Sequence, residues 1–409
     1  MNQIKECKYI ILGAGPSGLS LAHALLDQGC SLEEIVILEK EREAGGLCRS
    51  ETVDGSPIDI GGGHFLDIKR ADVLALMFRF LPQSEWNTFK RISTIRLRDV
   101  EIDHPIEANL WQLPIEDQLD YLESIAVAGS ARGVPMPGSF EDYIRWKLGD
   151  RIAEDYMLPY NRKIWSINLE QLGTYWLHKL PNVSFRETLQ SCIQGKSTGS
   201  LPAHGTFLYP KKFGYGEVWK RMGQSLGESL ILDCSVEHID LSTLTVNGKW
   251  KAKTIISTVP WTLWPNFCLL DNEVTDAIAL LQKSSVDVHY QPETLPSPAH
   301  WIYEPDETIS HHRLLLRSNF FSGARGHWTE THSCRSTETS PGNRVFRNEF
   351  AYPINTLEKP QAIAKVLEWA RSKGILGLGR WGRWEHMNSD VAVAEALQLA
   401  KDLTVGAQQ

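Results

Sequence analysis

The chain has 409 residues, of which 42% are hydrophobic and 22% are charged, and it is long enough to form two structural units. The formal net charge of −8 excludes an overall basic surface, so nucleic acid is not an expected partner. The seven cysteines are scattered and include no CxxC pair, so neither a disulfide framework nor a metal site is predicted. Because the sequence has no signal peptide and no apolar run of about 18 residues, we expect no transmembrane segment and a cytoplasmic location.

The first predicted element is a β-strand over residues 9–12 that ends in a glycine-rich turn. Gly13 allows the tight turn, Gly15 lets the backbone approach a pyrophosphate, and Gly18 allows the following helix to pack closely on the strand. An apolar helical pattern follows over residues 19–26, and the N-terminus of such a helix favours an anion. This segment predicts a dinucleotide site.

The second predicted strand, residues 35–38, supports the same interpretation because an acidic residue follows it. Glu39 stands 21 positions after Gly18, a spacing typical of the carboxylate that accepts hydrogen bonds from ribose hydroxyls. The strand, glycine turn, helix, second strand and acid together predict a Rossmann-like unit.

Two more glycine-rich segments follow, over residues 43–50 and 59–65. Such glycines let the backbone lie directly against a ligand, although a glycine-rich surface loop without a ligand has the same composition. The pattern resembles the FAD-binding signature of the flavoprotein group that contains amine oxidases, protoporphyrinogen oxidase and UDP-galactopyranose mutase, and this resemblance implies FAD as the cofactor. The signature residues are Glu39, Gly46, Arg49, Ser50, Gly62 and Gly63.

Helical and strand patterns alternate along the rest of the chain. Helical patterns dominate residues 71–200, and short strands return over 230–259, including one at 235–239. The Asn-Gly pair at 247–248 predicts a hairpin turn between two of them. A glycine-dense loop is predicted for residues 374–382.

The resemblance implies an α/β fold in which a Rossmann-like FAD-binding domain carries an inserted substrate domain of helices and β-sheet. The FAD-binding domain would be discontinuous and comprise residues 1–90, 200–270 and 355–409. The substrate domain would comprise residues 91–199 and 271–354.

Seven blocks, in chain order, resemble UDP-galactopyranose mutase more specifically. The block from Tyr156 to Trp165 follows the family pattern F-x-x-P-Y-N-x-K-x-W closely. The blocks are residues 103–110, 156–165, 206–219, 301–303, 313–319, 352–357 and 379–384. Their ordered succession is more specific than any single block.

This second resemblance implies a mutase that interconverts the pyranose and furanose forms of a sugar nucleotide, of the UDP-galactose type, with N5 of reduced flavin attacking the anomeric carbon. It implies His64 and Arg313 as catalytic residues, the histidine beside the flavin and the arginine on the diphosphate. The implied further flavin contacts are Val236, Gly379, Arg380 and Asn388. The implied substrate contacts are Tyr156, Asn161, Trp165, Lys179, Tyr303, Arg313, Tyr352 and His386.

Three of these residues have alternative, purely structural interpretations. His64 would equally be a buried histidine bonded to a neighbouring carbonyl, Arg313 a surface ion pair, and Asn388 a helix cap.

The chain departs from the mutase pattern at three anion-binding positions. Leu180 stands where a second diphosphate arginine is expected, with Lys179 beside it, while Phe320 and His386 stand at tyrosine positions. A hydrogen bond to a charged group contributes about 1.5–3 kcal/mol, so these changes weaken the expected diphosphate site and leave the exact substrate open.

The alternative function is an FAD-dependent oxidoreductase of the amine oxidase or protoporphyrinogen oxidase type. Either enzyme would take a small-molecule substrate, and a reductant such as NAD(P)H is a further possible partner. The sequence does not predict an oligomeric state.

Overall fold

The computed structural model describes residues 4–98, 100–177, 183–198, 205–336 and 344–405. The strands are β1 (Lys5–Glu6), β2 (Tyr9–Leu12), β3 (Ile35–Leu38), β4 (Ser50–Val53), β5 (Ser56–Asp59), β6 (Leu66–Asp67), β7 (Trp86–Lys90), β8 (Ser93–Leu97), β9 (Val100–Asp103), β10 (Thr206–Pro210), β11 (Leu230–Ile231), β12 (Ile239–Asp240), β13 (Thr245–Val246), β14 (Trp250–Lys251), β15 (Thr254–Ser257), β16 (Lys283–Gln291), β17 (Trp301–Tyr303), β18 (Arg313–Leu315), β19 (His327–His332), β20 (Val345–Pro353) and β21 (Ile375–Gly377). The helices are α1 (Pro16–Asp27), α2 (Ala71–Phe80), α3 (Ile115–Ala126), α4 (Phe140–Ile152), α5 (Leu158–Trp165), α6 (Phe185–Gln194), α7 (Gly216–Gln224), α8 (Asn272–Ala279), α9 (Lys359–Ser372), α10 (Gly379–Gly382) and α11 (Ser389–Val405).

A five-stranded parallel sheet, in the order β11-β3-β2-β15-β21, forms the Rossmann-like unit. The central strand β2 pairs with β3 on one side and β15 on the other, so that Ile10 lies between Val36 and Ile255. The carboxyl ends of parallel strands share one edge of the sheet, and this edge is where ligands bind in such folds. The predicted α/β fold class is confirmed.

Helices cover both faces of this sheet. Ile11 and Ile37 pack in a core that includes residues of α1 and α11, whereas Ile10 and Val36 pack in a second core with residues of α8 and α9. Since both faces are buried, the strands are continuous apolar runs and do not alternate with polar residues.

A seven-stranded mixed sheet, in the order β20-β16-β19-β18-β17-β8-β9, forms the second unit. Its strands pair antiparallel except for β17 and β8, which are parallel. Helices α3 to α6 contribute to a separate core, which also holds Ile95 of β8 and Ile102 of β9. This unit combines helices with a sheet.

The hairpin prediction is confirmed. Val246 of β13 pairs antiparallel with Trp250 of β14, and both turn residues have positive φ angles, 52° at Asn247 and 62° at Gly248. That geometry explains why asparagine and glycine occupy the turn.

Three sequence predictions of local structure need correction. Residues 374–382 contain β21 and α10, because Ile375 is buried and pairs with β15 instead of lying in a loop. Residues 86–103 contain β7, β8 and β9 within the segment predicted to be mainly helical. The strand predicted over 235–239 is limited to β12, which begins at Ile239.

Among the helices of the described ranges, none combines the length and the apolar character that crossing a membrane requires.

Candidate functional site

The glycine turn after β2 and the first turn of α1 form a cradle with little room for side chains. Gly15 is the N-cap residue of α1, and a Cβ built on Gly46 would lie only 3.2 Å from the Cα of Gly15. Gly18 packs so closely on the turn that a Cβ there would overlap the carbonyl oxygen of Gly13, which itself has a φ of +99°. Two backbones approaching at a helix N-terminus create a place for a diphosphate.

Glu39, at the end of β3, lies beside this cradle and is held in place by backbone. Its Oε2 accepts a hydrogen bond from the Ala14 amide at 2.7 Å, and its Oε1 accepts one from the Glu41 amide at 3.0 Å. Each carboxylate oxygen has a second lone pair, so both oxygens retain capacity to accept bonds from ribose hydroxyls. The cradle and Glu39 therefore fit a dinucleotide.

Arg49 and Ser50 bond mainly to their own surroundings. The Arg49 Nε donates to the Gly46 carbonyl at 3.0 Å, which braces the glycine loop. The Ser50 hydroxyl donates to Asp59 at 2.5 Å and accepts from the Gly216 amide at 2.7 Å. Burial raises the pKa of Asp59 to about 7, against the opposing hydrogen bond from Ser50. Both residues support the shape of the predicted flavin site.

His64 follows the glycine loop of residues 61–63. Its Nδ1 lies 2.8 Å from the Gly62 carbonyl, which is only an acceptor, so we assign the proton to Nδ1 and leave Nε2 as an acceptor. Burial lowers the pKa of His64 to about 4, and the nearby Arg380 guanidinium acts in the same direction. His64 is therefore a neutral imidazole at neutral pH.

Arg313 and Glu330 are register partners on β18 and β19. The Arg313 Nε donates to Glu330 Oε2 at 2.9 Å and its Nη2 donates to the same oxygen at 2.5 Å. Burial is the largest influence on Glu330 and would raise its pKa, but the Arg313 guanidinium, His312 and the Gly63 amide together lower that pKa to about 2. Burial is also the largest influence on Arg313 and opposes its charged form, yet the Glu330 carboxylate and the neighbouring tyrosines together hold the pKa of Arg313 well above its ordinary value. Both groups are charged.

Tyrosine side chains surround this ion pair. Tyr303 is the cross-strand partner of Arg313, and the ring of Tyr160 meets that of Tyr303 edge-on at 5.4 Å. Tyr156 lies one helical turn before Tyr160, with the two ring centroids 5.7 Å apart. Burial raises the pKa of Tyr160 well above its ordinary value, so its hydroxyl is neutral and available as a hydrogen-bond donor.

A second aromatic group adjoins the first. Tyr352 lies 4.9 Å from the His386 ring and 6.2 Å from Trp165. The Arg380 guanidinium lies 5.2 Å from the Tyr352 ring and donates to the Ala351 carbonyl at 2.7 Å. Arg380 therefore links the Tyr352 group to α10.

Arg313 and three nearby cationic or imidazole side chains are largely shielded from water. Arg313 keeps 20% of its side chain exposed, although desolvation by burial is the largest influence on its pKa. His64, His104 and Arg380 combine partial exposure with the same dominant influence on their pKa values. Ionic interactions of such partly exposed, poorly hydrated side chains with a ligand are stronger than in bulk water.

The other predicted site residues are placed differently. The Asn161 side chain donates to the Met157 carbonyl at 2.7 Å and accepts from the Trp165 indole at 2.9 Å, so it positions Trp165. Val236 lies half-buried outside any strand. Gly379 begins α10, and a Cβ there would overlap the side chain of Ser17.

Two predicted residues remain, Asn388 and Lys179. Asn388 directly precedes α11, and its carbonyl accepts the Ala392 amide at 3.0 Å as the first bond of that helix. Lys179, like Leu180, lies outside the described residues.

Sequence reasoning missed Glu330. It stands in the middle of β19, where 0% of its surface is exposed, and a fully buried acid in a strand implies a cationic partner. The sequence offers one signal for it, an acidic residue within the strand-forming segment His327–His332. The partner becomes visible only when the register of β18 and β19 is known.

Comparison with known proteins defines the fold. Residues 11–81 match the model of the NAD(P)-binding Rossmann-like domain family. A solved structure of reduced UDP-galactopyranose mutase has a TM-score of 0.87 and 22% identity, covering 98% of this chain and 95% of that one. A provisionally assigned protoporphyrinogen oxidase from Exiguobacterium sp. 255-15 has a TM-score of 0.72 and 14% identity, covering 99% and 100%. Cyclohexylamine oxidase from Brevibacterium oxydans IH-35A has a TM-score of 0.68 and 14% identity, covering 98% and 100%. The chain therefore has the fold that these enzymes share.

A curated relative is more similar in sequence. An uncharacterized protein encoded in the nifH2 3′ region of Methanothermococcus thermolithotrophicus is 46% identical over 107 residues, which make up 25% of this chain and 97% of the relative. The chain belongs to the same family as that protein.

Proposed function

We propose that the protein is a flavin-dependent sugar-nucleotide mutase of the UDP-galactopyranose mutase type, acting on a nucleoside diphosphate sugar. The observation that carries the proposal is the charged guanidinium of Arg313, which is 20% exposed and lies among tyrosines. A charged, forked donor that is largely shielded from water suits a diphosphate. The likeness of the whole fold to reduced UDP-galactopyranose mutase supports the same assignment.

The cradle would hold FAD through backbone and helix N-terminus, with Glu39 on the ribose. When bound in reduced form, the flavin supplies a nucleophile for the anomeric carbon of the sugar. The discontinuous FAD-binding domain and the inserted substrate domain described from the sequence remain part of this proposal. They are supported by the two main sheets, which draw their strands from separate segments.

The chain's own residues would bind and orient the substrate. Arg313 would hold the diphosphate, while the hydroxyls of Tyr303 and Tyr352 add neutral donors. His64 would present the unprotonated Nε2 to the reacting centre, since its Nδ1 proton is bonded to Gly62. The ring of Trp165 would flank the nucleoside base.

Two departures from the mutase pattern, at Phe320 and His386, affect the expected affinity for a diphosphate. Phe320 is 1% exposed and packs against Phe65 and Tyr209, so it presents no polar group to a ligand. The His386 ring lies 4.9 Å from that of Tyr352 and places an imidazole where the family has a hydroxyl. We infer a weaker diphosphate site than in the mutases, centred on Arg313.

The second candidate function is an FAD-dependent oxidoreductase, and the observation that favours it is the fold likeness to cyclohexylamine oxidase. The two functions are distinguished by titrating the purified flavoprotein with UDP and, separately, with primary amines. A change in the flavin absorption spectrum with UDP, without loss of flavin colour, supports the mutase. Bleaching of the flavin by an amine and recovery in air supports the oxidoreductase.

A further inference from the structure

The glycine loop before His64 is wedged between two parts of the fold. On one side a Cβ on Gly61 would overlap the carbonyl oxygen of Leu47, in the loop beside the dinucleotide cradle. On the other side a Cβ on Gly62 would lie 2.6 Å from Glu330 Oε1, and one on Gly63 would overlap Leu315. Side-chain-free residues are needed here because the loop touches both units.

Glu330 is the polar link across this contact. Its Oε1 accepts a hydrogen bond from the Gly63 amide at 2.9 Å, and its Oε2 accepts both bonds from Arg313. The two oxygens of one carboxylate are thus divided between the loop that carries His64 and Arg313, and the Nε2 of buried His312 also lies 3.6 Å from Oε2. The Glu330 carboxylate is almost completely buried, so water cannot substitute for either partner.

We propose that Glu330 is a positioning residue that couples anion binding at Arg313 to the placement of the His64 loop. Only the identity of the anion rests on the proposed function; the coupling itself rests on the divided carboxylate. An anion that binds Arg313 competes with Oε2 for the guanidinium donors. Because the carboxylate is rigid, a change at Oε2 alters the bond between Oε1 and Gly63. Such coupling is reciprocal, so loss of Glu330 must also change anion affinity.

The direct test is hydrogen exchange of the flavin-loaded protein, followed by mass spectrometry of the peptide that contains residues 61–66. In Arg313→Gln, which removes both guanidinium bonds to Glu330 and leaves the loop sequence unchanged, we expect the peptide to exchange about tenfold faster, as when a buried hydrogen bond is weakened. The matched control is Arg96→Gln. Arg96 pairs at 3.2 Å with Glu304, another carboxylate that is 1% exposed, so this control also leaves a buried acid without its arginine. It should leave the peptide unchanged.

A second variant provides an independent measurement. In Glu330→Gln the charge that competes for Arg313 is removed, so we expect inorganic pyrophosphate to bind about threefold to tenfold more tightly than to the wild type. A residue that only stabilised the sheet would not raise affinity when replaced.

The proposal is overturned if exchange at residues 61–66 is unchanged in Arg313→Gln or rises equally in Arg96→Gln, or if pyrophosphate binds Glu330→Gln no more tightly than the wild type. If the wild type binds neither pyrophosphate nor UDP, the proposed sugar-nucleotide function fails. The exchange comparison still decides the coupling in that case.

Discussion

Arg313 of β18 and Glu330 of β19 face each other as direct cross-strand partners in the seven-stranded sheet. The guanidinium at the centre of the site is therefore held by sheet register and not by a loop. A buried carboxylate bonded twice by one arginine fixes the orientation of that arginine. The strand register places Arg313 before any ligand arrives, which reduces the cost of ordering it on binding, whereas the charge of Glu330 competes with an anion for the same donors.

Replacing Arg313 by lysine should weaken the diphosphate site. Lysine keeps the charge but loses the planar fork that bonds Glu330 through two nitrogens. We expect the dissociation constant for UDP, measured by calorimetry on the flavoprotein, to rise about 10-fold to 100-fold. Arg96→Lys is the control and should bind UDP as the wild type does. Equal UDP affinity in Arg313→Lys and the wild type would remove Arg313 from the anion site.

Alanine at Gly46 should cause loss of FAD. Gly46 has a φ of +54°, and a Cβ there would lie 3.2 Å from Gly15 across the cradle. The control is Gly227→Ala, where φ is +53° but no atom lies within 4 Å. Both changes incur the left-handed backbone cost of about 1–2 kcal/mol, so both should lower the melting temperature of the flavin-free protein similarly. Only Gly46→Ala should be purified without flavin, measured by absorbance; full flavin content would contradict the cradle.

The depressed pKa of His64 predicts a pH-dependent contribution to stability. Burial lowers this pKa from 6.5 to about 4, so the unfolded chain binds a proton more readily than the folded one between these values. The contribution is therefore present above pH 6.5 and is lost as the pH falls towards 4. Urea unfolding at pH 4.5 and 7 should show a pH dependence about 2–3 kcal/mol larger in the wild type than in His64→Gln.

Exposed His238 provides the control for this measurement. His238→Gln should retain the pH dependence of the wild type. An identical pH dependence in His64→Gln and the wild type would show that His64 is not the buried neutral imidazole described above.

Asn161→Leu should affect stability more than flavin binding. The change removes the acceptor of the Trp165 indole N–H and the donor to the Met157 carbonyl. Leaving a buried polar group unpaired costs about 1–3 kcal/mol. The free energy of unfolding should therefore fall by at least about 1–3 kcal/mol, while flavin content stays unchanged. Thr275→Val is a control, because Thr275 donates an exposed side-chain bond within its own helix. A fully stable Asn161→Leu with lost UDP binding would make Asn161 a ligand contact instead.

Local sequence patterns predict the dinucleotide cradle well. The turn at Gly13, the close packing of Gly18 and the position of Glu39 after its strand follow from backbone geometry that only certain residues allow. These contacts join segments that are near in sequence. The hairpin turn at Asn247 is predictable for the same reason.

Long-range contacts are not visible in this way. Gly63 and Glu330 are 267 positions apart, and nothing local in either segment indicates that they meet. Ser50 fits a ligand-binding motif, yet its hydroxyl bonds Asp59 and the Gly216 amide. Val236 lies outside a strand, since β12 begins only at Ile239. Roles of these residues depend on tertiary pairing.

Anaerobic turnover of UDP-galactofuranose, with the flavin kept reduced by dithionite and an oxidised sample alongside, tests the mutase assignment most directly. We expect the reduced protein alone to form UDP-galactopyranose, with strong loss of rate in Arg313→Lys. No UDP-galactopyranose from the reduced protein, together with ready reduction of its flavin by amines, would contradict the mutase assignment and favour the oxidoreductase.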